Sequence, residues 1–189
     1  MAARNVPPEV WGATAWRVLH GVAACVRSRA DYAHARALFA ALQQLLPCAR
    51  CRANYGEHLQ RAPFPASPRG IPRWVFELHQ QVNGRLRKTN CPTSWTQVRM
   101  KNKRCSRALA ELLPQAFVDA LAASHPGRGA RGVPRAFLEA HLAFWAALRH
   151  FYADAPEVRA ADVETRTAFR QAVGATGRAS SICTTACHI

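Results

Sequence analysis

The sequence contains little that would carry it into or through a membrane. No run of about 18 apolar residues occurs, so a membrane-spanning helix is not expected. The opening Met1-Ala2-Ala3-Arg4-Asn5-Val6-Pro7-Pro8 lacks the apolar core of a signal peptide and is too short for a transit peptide. Synthesis in the cytosol without export is therefore expected, which means the cytoplasm, or the host cytoplasm or virion if the chain is viral. Stretches alternating apolar and polar residues at period two are missing, which leaves strands without a signal. Internal repeats, low-complexity tracts and dense basic runs are missing too. Lysine is scarce, 3 against 23 arginines, and acids number only 11, giving a formal net charge of +15. Such a surface attracts nucleic acid non-specifically. No stacking-aromatic motif accompanies the arginines, and abundant alanine beside arginine equally fits a GC-rich coding sequence. A specific nucleic-acid function is not expected.

At 189 residues the chain is long enough for one well-buried core with an appended part. Charge marks the boundary. Residues 1–105 hold 17 basic and 4 acidic side chains, residues 106–189 hold 9 and 7. The periodicity is helical throughout, so the fold class is all-α. A first helix is predicted over Pro8 to Val26, with Trp11, Ala15, Val18, Val22 and Val26 on one stripe and Gly12, Trp16, His20 and Ala23 on a second. Two lined faces imply burial on two sides, or a core face beside a ligand face. Asp31 is predicted to cap a second helix that stops at Pro47. A third runs from Cys48 through Tyr55 to Leu59, and the proline-rich stretch 61–72 is a loop. A fourth spans 72–88 with Trp74, Leu78, Val82 and Leu86 facing the core, and Ser94 opens a short fifth with a capping box. Further on, residues 109–123 form a run interrupted by Pro114, and 124–132 a linker. Pro134 starts an amphipathic helix through Phe137, Leu138, His141, Leu142, Trp145, Leu148 and Phe151, and a last helix runs from Pro156 to about Val173. The small, polar residues 174–189 are expected to be flexible. The stripe of the 134–151 helix is wide, so the extension should cover the core or build a dimer interface.

Seven cysteines are unusual for a cytosolic chain, where structural disulfides are rare. The most informative two are in Cys48-Ala49-Arg50-Cys51, directly behind Leu46-Pro47. The pair can close a small reducible disulfide, and at a helix start the first sulfur meets the positive end of the dipole, which favours thiolate. By itself the spacing also suits zinc or an ordinary helix start. His79 and Asn83 lie one turn apart, so they project to the same side of the fourth helix. Singly, a histidine on an apolar face is more often a satisfied core residue, and Trp16 or Trp74 more often core than ligand contact.

Three motifs in order decide between these readings: Val10 to His20, Leu46 to Cys51, and His79-Gln80-Gln81-Val82-Asn83-Gly84-Arg85-Leu86-Arg87-Lys88. Together they resemble the Erv/ALR family of FAD-dependent sulfhydryl oxidases, most closely the short members encoded by large DNA viruses. The resemblance covers roughly residues 9–100. It implies a four-helix bundle plus a short fifth helix in a domain of residues 1–105, followed by a helical extension, 106–175, and a cysteine-bearing tail, 176–189. It implies FAD as cofactor, with Cys51 the flavin-facing sulfur and Cys48 the exposed sulfur that exchanges with substrate. Gly12, Trp16, His20, Tyr55, His79, Val82, Asn83, Leu86, Lys88 and Trp95 would contact the cofactor, with Trp74 staying in the core and Arg85 a weaker candidate. Cys91 and Cys105 would form a structural disulfide, Cys183 and Cys187 a mobile shuttle pair, and Cys25 is left over as a buried thiol. Substrates would be protein dithiols, such as a thioredoxin-like or virion protein, with O2 leaving as H2O2, and the assembly a homodimer. The departures are Gln80 for the Asn that usually follows the histidine, no proline after Lys88, and the added helices.

A competing reading is a zinc-binding helical module using Cys48, Cys51 and His58 or Cys91, with its basic face on nucleic acid. A structural zinc site wants four ligands in compact pairs, and no second pair at finger-like spacing follows Cys51. No metal is expected.

Overall fold

In a computed structural model of the chain, residues 6–88, 94–101, 134–153 and 156–174 are described. They form seven α-helices and no strand: α1 Pro8–Cys25, α2 Arg29–Leu45, α3 Ala49–Arg61, α4 Ile71–Arg85, α5 Trp95–Lys101, α6 Arg135–Phe151 and α7 Pro156–Gly174. Only a 3-10 turn, Pro68–Gly70, interrupts the proline-rich loop. The run 109–123, the linker 124–132 and the tail from 175 lie outside the described residues.

α1 packs on α4, α3 on α2, and α5 on α4. A single hydrophobic cluster runs through Val18, Val22, Leu38, Phe39, Leu42, Ile71 and Trp74, all buried. At about 1.5–3 kcal/mol for each large apolar side chain fully buried, this cluster is the main source of stability. Trp74 sits at its aromatic centre, edge-on to Phe39 and Phe64 with ring centroids 5.3 Å away in each case. Its indole N–H donates to the Ala62 carbonyl at 2.9 Å, so the core role predicted for it is the one it has.

The second helix starts earlier than predicted. Ser28, not Asp31, is the N-cap: its hydroxyl accepts the Asp31 N–H at 3.0 Å, while the Asp31 carboxylate accepts the Ser28 N–H at 2.8 Å. Asp31 is the third helical residue of a reciprocal capping box, where a carboxylate reaches back to the first orphan donor.

The fourth helix ends earlier than predicted. Leu86 lies beyond α4 and is 52% exposed, so it does not face the core. The Lys88 N–H donates to the Asn83 carbonyl and the Arg87 N–H to the Gly84 carbonyl, 3.0 and 3.1 Å. Arg87 takes φ 51°, in the left-handed region. This is a Schellman closure with arginine where glycine is usual.

The extension covers the core. The most extensive helix packing in the described chain is α6 on α2, and α7 packs on α6. Of the predicted stripe, Leu138, His141, Trp145 and Leu148 are buried and Phe137, Leu142 and Phe151 half-buried; Trp145 and Leu148, with Phe144 beside them, belong to the same hydrophobic cluster as the first four helices. The argument for a dimer from that stripe is thereby used up inside the chain. At the far end of α6, His150 Nε2 bonds Asp31 Oδ1 at 2.7 Å and stacks on His34, ring centroids 4.1 Å apart. Asp162 of α7 is fully buried and answered by two arginines, Arg149 at 3.2 Å and Arg166 at 2.9 Å. A buried carboxylate needs such partners.

Cys25 is not a thiol. It is in a disulfide, and since Cys48 and Cys51 are free, its partner lies outside the described residues. The pairs 91/105 and 183/187 also lie outside the described residues. Counting cysteines along the chain says nothing of which pair folding brings together.

Candidate functional site

Cys48 is the N-cap of α3, and its Sγ accepts the Cys51 N–H at 3.2 Å. The dithiol thus sits at the positive end of a helix, where backbone donors point at sulfur. Cys48 is only 7% exposed and Cys51 is half-buried. The exposed sulfur implied at Cys48 is therefore the more covered one, because the turn delivering it, Leu46-Pro47, is itself buried. Burial above all, then the hydrogen bond and charge of Cys48 and the charge of Glu9, holds the Cys51 thiol well above the ordinary thiol range, against an opposing pull from Arg52.

The Val6 N–H donates to the Pro47 carbonyl at 2.9 Å, which sets the start of α1 beside the turn into the dithiol. Glu9, Gly12, Trp16 and His20 recur at helical spacing and share one face. That face runs about 16 Å, at 1.5 Å per residue, from the dithiol toward α4. A Cβ placed on Gly12 would meet no other atom within 4 Å. Further along, the Trp16 ring lies flat on His79, centroids 4.0 Å apart and planes 8° from parallel. His20 Nε2 and His79 Nδ1 are 3.0 Å apart, sharing one hydrogen bond. One turn beyond His79, Asn83 is buried, and its Nδ2 has no hydrogen-bond partner among the described residues. Lys88 acts on His79 through its charge and is exposed.

Both histidines are held neutral. Burial lowers His20 to about 4. His79 also falls to about 4, through burial first and then the charges of His20 and Lys88. A hydrogen bond between two rings needs one nitrogen without a proton, which the neutral pair supplies. Unfolded, both would titrate near 6.5, so between 4 and 6.5 the unfolded chain binds more protons. Stability is expected to be complete above that window and to be lost as the pH falls through it. Denaturant midpoints measured from pH 7 to pH 4 should drop, and replacing both histidines by glutamine should flatten the decline.

Tyr55 is buried, its hydroxyl donating to the Phe39 carbonyl at 2.8 Å, so it braces α3 on α2. Burial pushes its phenol well above the usual tyrosine range. Val82 is half-buried, and Leu86 is exposed beyond the helix end. Trp95 packs on Phe76, 5.6 Å between centroids, with the Arg73 guanidinium 5.7 Å over its ring. Phe76 is seven residues before Asn83 and so shares its face of α4. Arg85 reaches α3 instead, bonding Asn54 at 2.5 Å and Glu57 at 2.9 Å. Beside it His58 Nδ1 bonds Gln81 Oε1 at 2.8 Å. Sequence reasoning passed over Glu9, although its spacing of three from Gly12 continues the Trp16 and His20 line.

Residues 13–104, just under half of the chain, match the sequence profile of the Erv1/Alr family. Within the matched residues fall the dithiol, the Trp16, His20 and His79 cluster, Asn83 and α5. A probable FAD-linked sulfhydryl oxidase of Acanthamoeba polyphaga mimivirus is 30% identical over 83 residues, 40% of this chain and 58% of that protein. A putative FAD-linked sulfhydryl oxidase of Invertebrate iridescent virus 3 is 30% identical over 90 residues, 44% of this chain and 61% of that protein. The chain thus spans about three fifths of the length of these viral relatives. No solved structure matches it. Among the described residues no helix is long and apolar enough to cross a membrane, and no group of three His, Cys, Asp or Glu is placed to hold a metal ion.

Proposed function

We propose that this chain is an FAD-linked sulfhydryl oxidase that forms disulfides in protein dithiols and delivers the electrons to O2, giving H2O2. The observation that carries the reading is the single α1 face joining the Cys48 and Cys51 dithiol to Trp16, His20, His79 and Asn83. These residues fit the cofactor. A flat indole and imidazole offer area to a planar ring system at low entropic cost, the buried Asn83 amide offers an unused donor, and Lys88 offers a charge for phosphate. Bound FAD supplies what sulfur lacks, two-electron acceptance from thiols and their transfer to O2.

The chain's own part is exchange. A substrate thiolate attacks Cys48 Sγ of the oxidised pair, the Cys48 to Cys51 bond breaks, and the electron pair leaves on Cys51. Burial and the neighbouring Cys48 hold the Cys51 thiol above the ordinary range, which favours its prompt reprotonation, and the Arg52 charge opposes them only in part. The second substrate thiolate attacks the substrate sulfur of the mixed disulfide and releases Cys48. Two substrate thiols lose two electrons and two protons, and the pair gains them. The tail cysteines Cys183 and Cys187 would shuttle electrons from large substrates, and the 1–105, 106–175 and 176–189 division, a homodimer, and a host-cytoplasm or virion location belong to the same proposal.

Purified protein is expected to be yellow and to release stoichiometric FAD on denaturation. Flavin-free protein holding stoichiometric zinc would replace this reading with the metal-binding module, which His58 disfavours by facing Gln81 and Trp74.

A further inference from the structure

Two backbone carbonyls lead into the dithiol, and both are engaged. Within α3, Arg52 Nη1 donates to the Leu46 carbonyl at 2.6 Å. From outside, the Val6 N–H donates to the Pro47 carbonyl at 2.9 Å. Val6 is held on its other side as well, its own carbonyl accepting the Trp11 indole N–H at 3.1 Å. Trp11 is anchored in the core by its place in α1. The residue ahead of α1 is therefore fastened between a buried indole and the turn that presents Cys48. Burial follows the same line: Pro47 and Cys48 are buried, while Ala49 and Arg50 immediately after them are exposed.

We propose that Val6 and Trp11 are positioning residues for the dithiol, a clasp that fixes the Leu46-Pro47 turn and covers the Cys48 sulfur. A protein thiol then reaches Cys48 only when Val6 releases Pro47. Thiol exchange needs the attacking sulfur in line with the bond being broken. A small thiol can use a brief opening, whereas a folded partner has to displace the segment ahead of α1. The clasp adds no electron or proton to the exchange described above. It sets how often Cys48 is presented. Its importance for turnover rests on the sulfhydryl oxidase reading, but the shielding does not.

The test labels thiols in the full chain with the Cys48 and Cys51 pair reduced, using iodoacetamide, and follows each cysteine by mass spectrometry. Trp11→Phe keeps a buried aromatic ring at the site and removes the indole N–H that Val6 accepts. Val6→Pro removes the other donor and leaves α1 intact. Each variant is expected to speed Cys48 alkylation about fivefold, the change that loss of one hydrogen bond gives an opening equilibrium, with Cys51 alkylation unchanged. Cys51 is the internal control, since general loosening would expose both sulfurs. Unchanged Cys48 labelling in both variants, or a parallel rise at Cys48 and Cys51, would overturn the clasp. Neither result depends on flavin or turnover, so the clasp can fail while the oxidase reading stands. Should the oxidase reading hold, the same variants should lower KM for a protein dithiol and leave kcat with a small dithiol unchanged.

Discussion

Cys48→Ser and Cys51→Ser are each expected to reduce oxygen consumption with a small dithiol to background, and the double variant should be no worse than either. Residues that act as one unit lose their whole contribution when one is removed. Serine cannot form the disulfide or leave as thiolate, yet it suits the fold. At position 48 it replaces one N-cap acceptor by a better one, since serine leads the N-cap preferences and Cys48 already accepts the Cys51 N–H there. Cys48→Ser should therefore keep the thermal midpoint while losing turnover, which separates chemistry from folding. Oxygen-electrode rates near wild type in either single variant would remove the dithiol from the mechanism.

The second large effect is on stability. Trp74→Ala should cost about 3–5 kcal/mol in urea unfolding, the range for emptying a large aromatic site in a core. The indole touches Phe39, Phe64 and His58 and satisfies the Ala62 carbonyl, so truncation leaves both a cavity and an orphan acceptor. Trp74→Phe keeps part of the ring packing and should cost clearly less. A Trp74→Ala penalty below about 1 kcal/mol would mean that the aromatic centre collapses around the gap. Because Trp74 lies on α4 with His79 and Asn83, the alanine variant should also retain less flavin.

Periodicity made most of the helices legible. The spacing of Trp11, Ala15, Val18 and Val22 locates α1 and its buried face, and Pro134 with the stripe behind it locates α6 to within a residue. What periodicity lacks is the identity of the neighbour. The α6 stripe was equally suited to a second copy or to α2, and only the packing shows α2 as its partner. Local hydrogen bonding misled at two ends. Asp31 is a good cap residue in isolation, but Ser28 three residues earlier completes a box that Asp31 alone cannot make. Leu86 continues an apolar count, but it is the last residue before the Schellman closure, which turns the chain away at Arg87. In the site, the motif spacing brought Trp16, His20 and His79 to one place. It gave no sign that Tyr55 would be spent on the Phe39 carbonyl, that Cys25 would be bonded, or that Val6 would reach the turn before Cys48, because each depends on contacts between distant segments.

The bond between Asp31 and His150 joins residues 119 apart in the chain. Contacts of that separation are slow to form, since a long loop must close first. During synthesis α2 leaves the ribosome about 90 residues ahead of the start of α6, and at about 5–20 residues per second that interval lasts roughly 5–18 s. Through it, the apolar flank of α2 that later receives Phe144, Trp145 and Leu148 has no covering helix. The nascent chain is thus most prone to aggregation, and most dependent on chaperones, until α6 has been made.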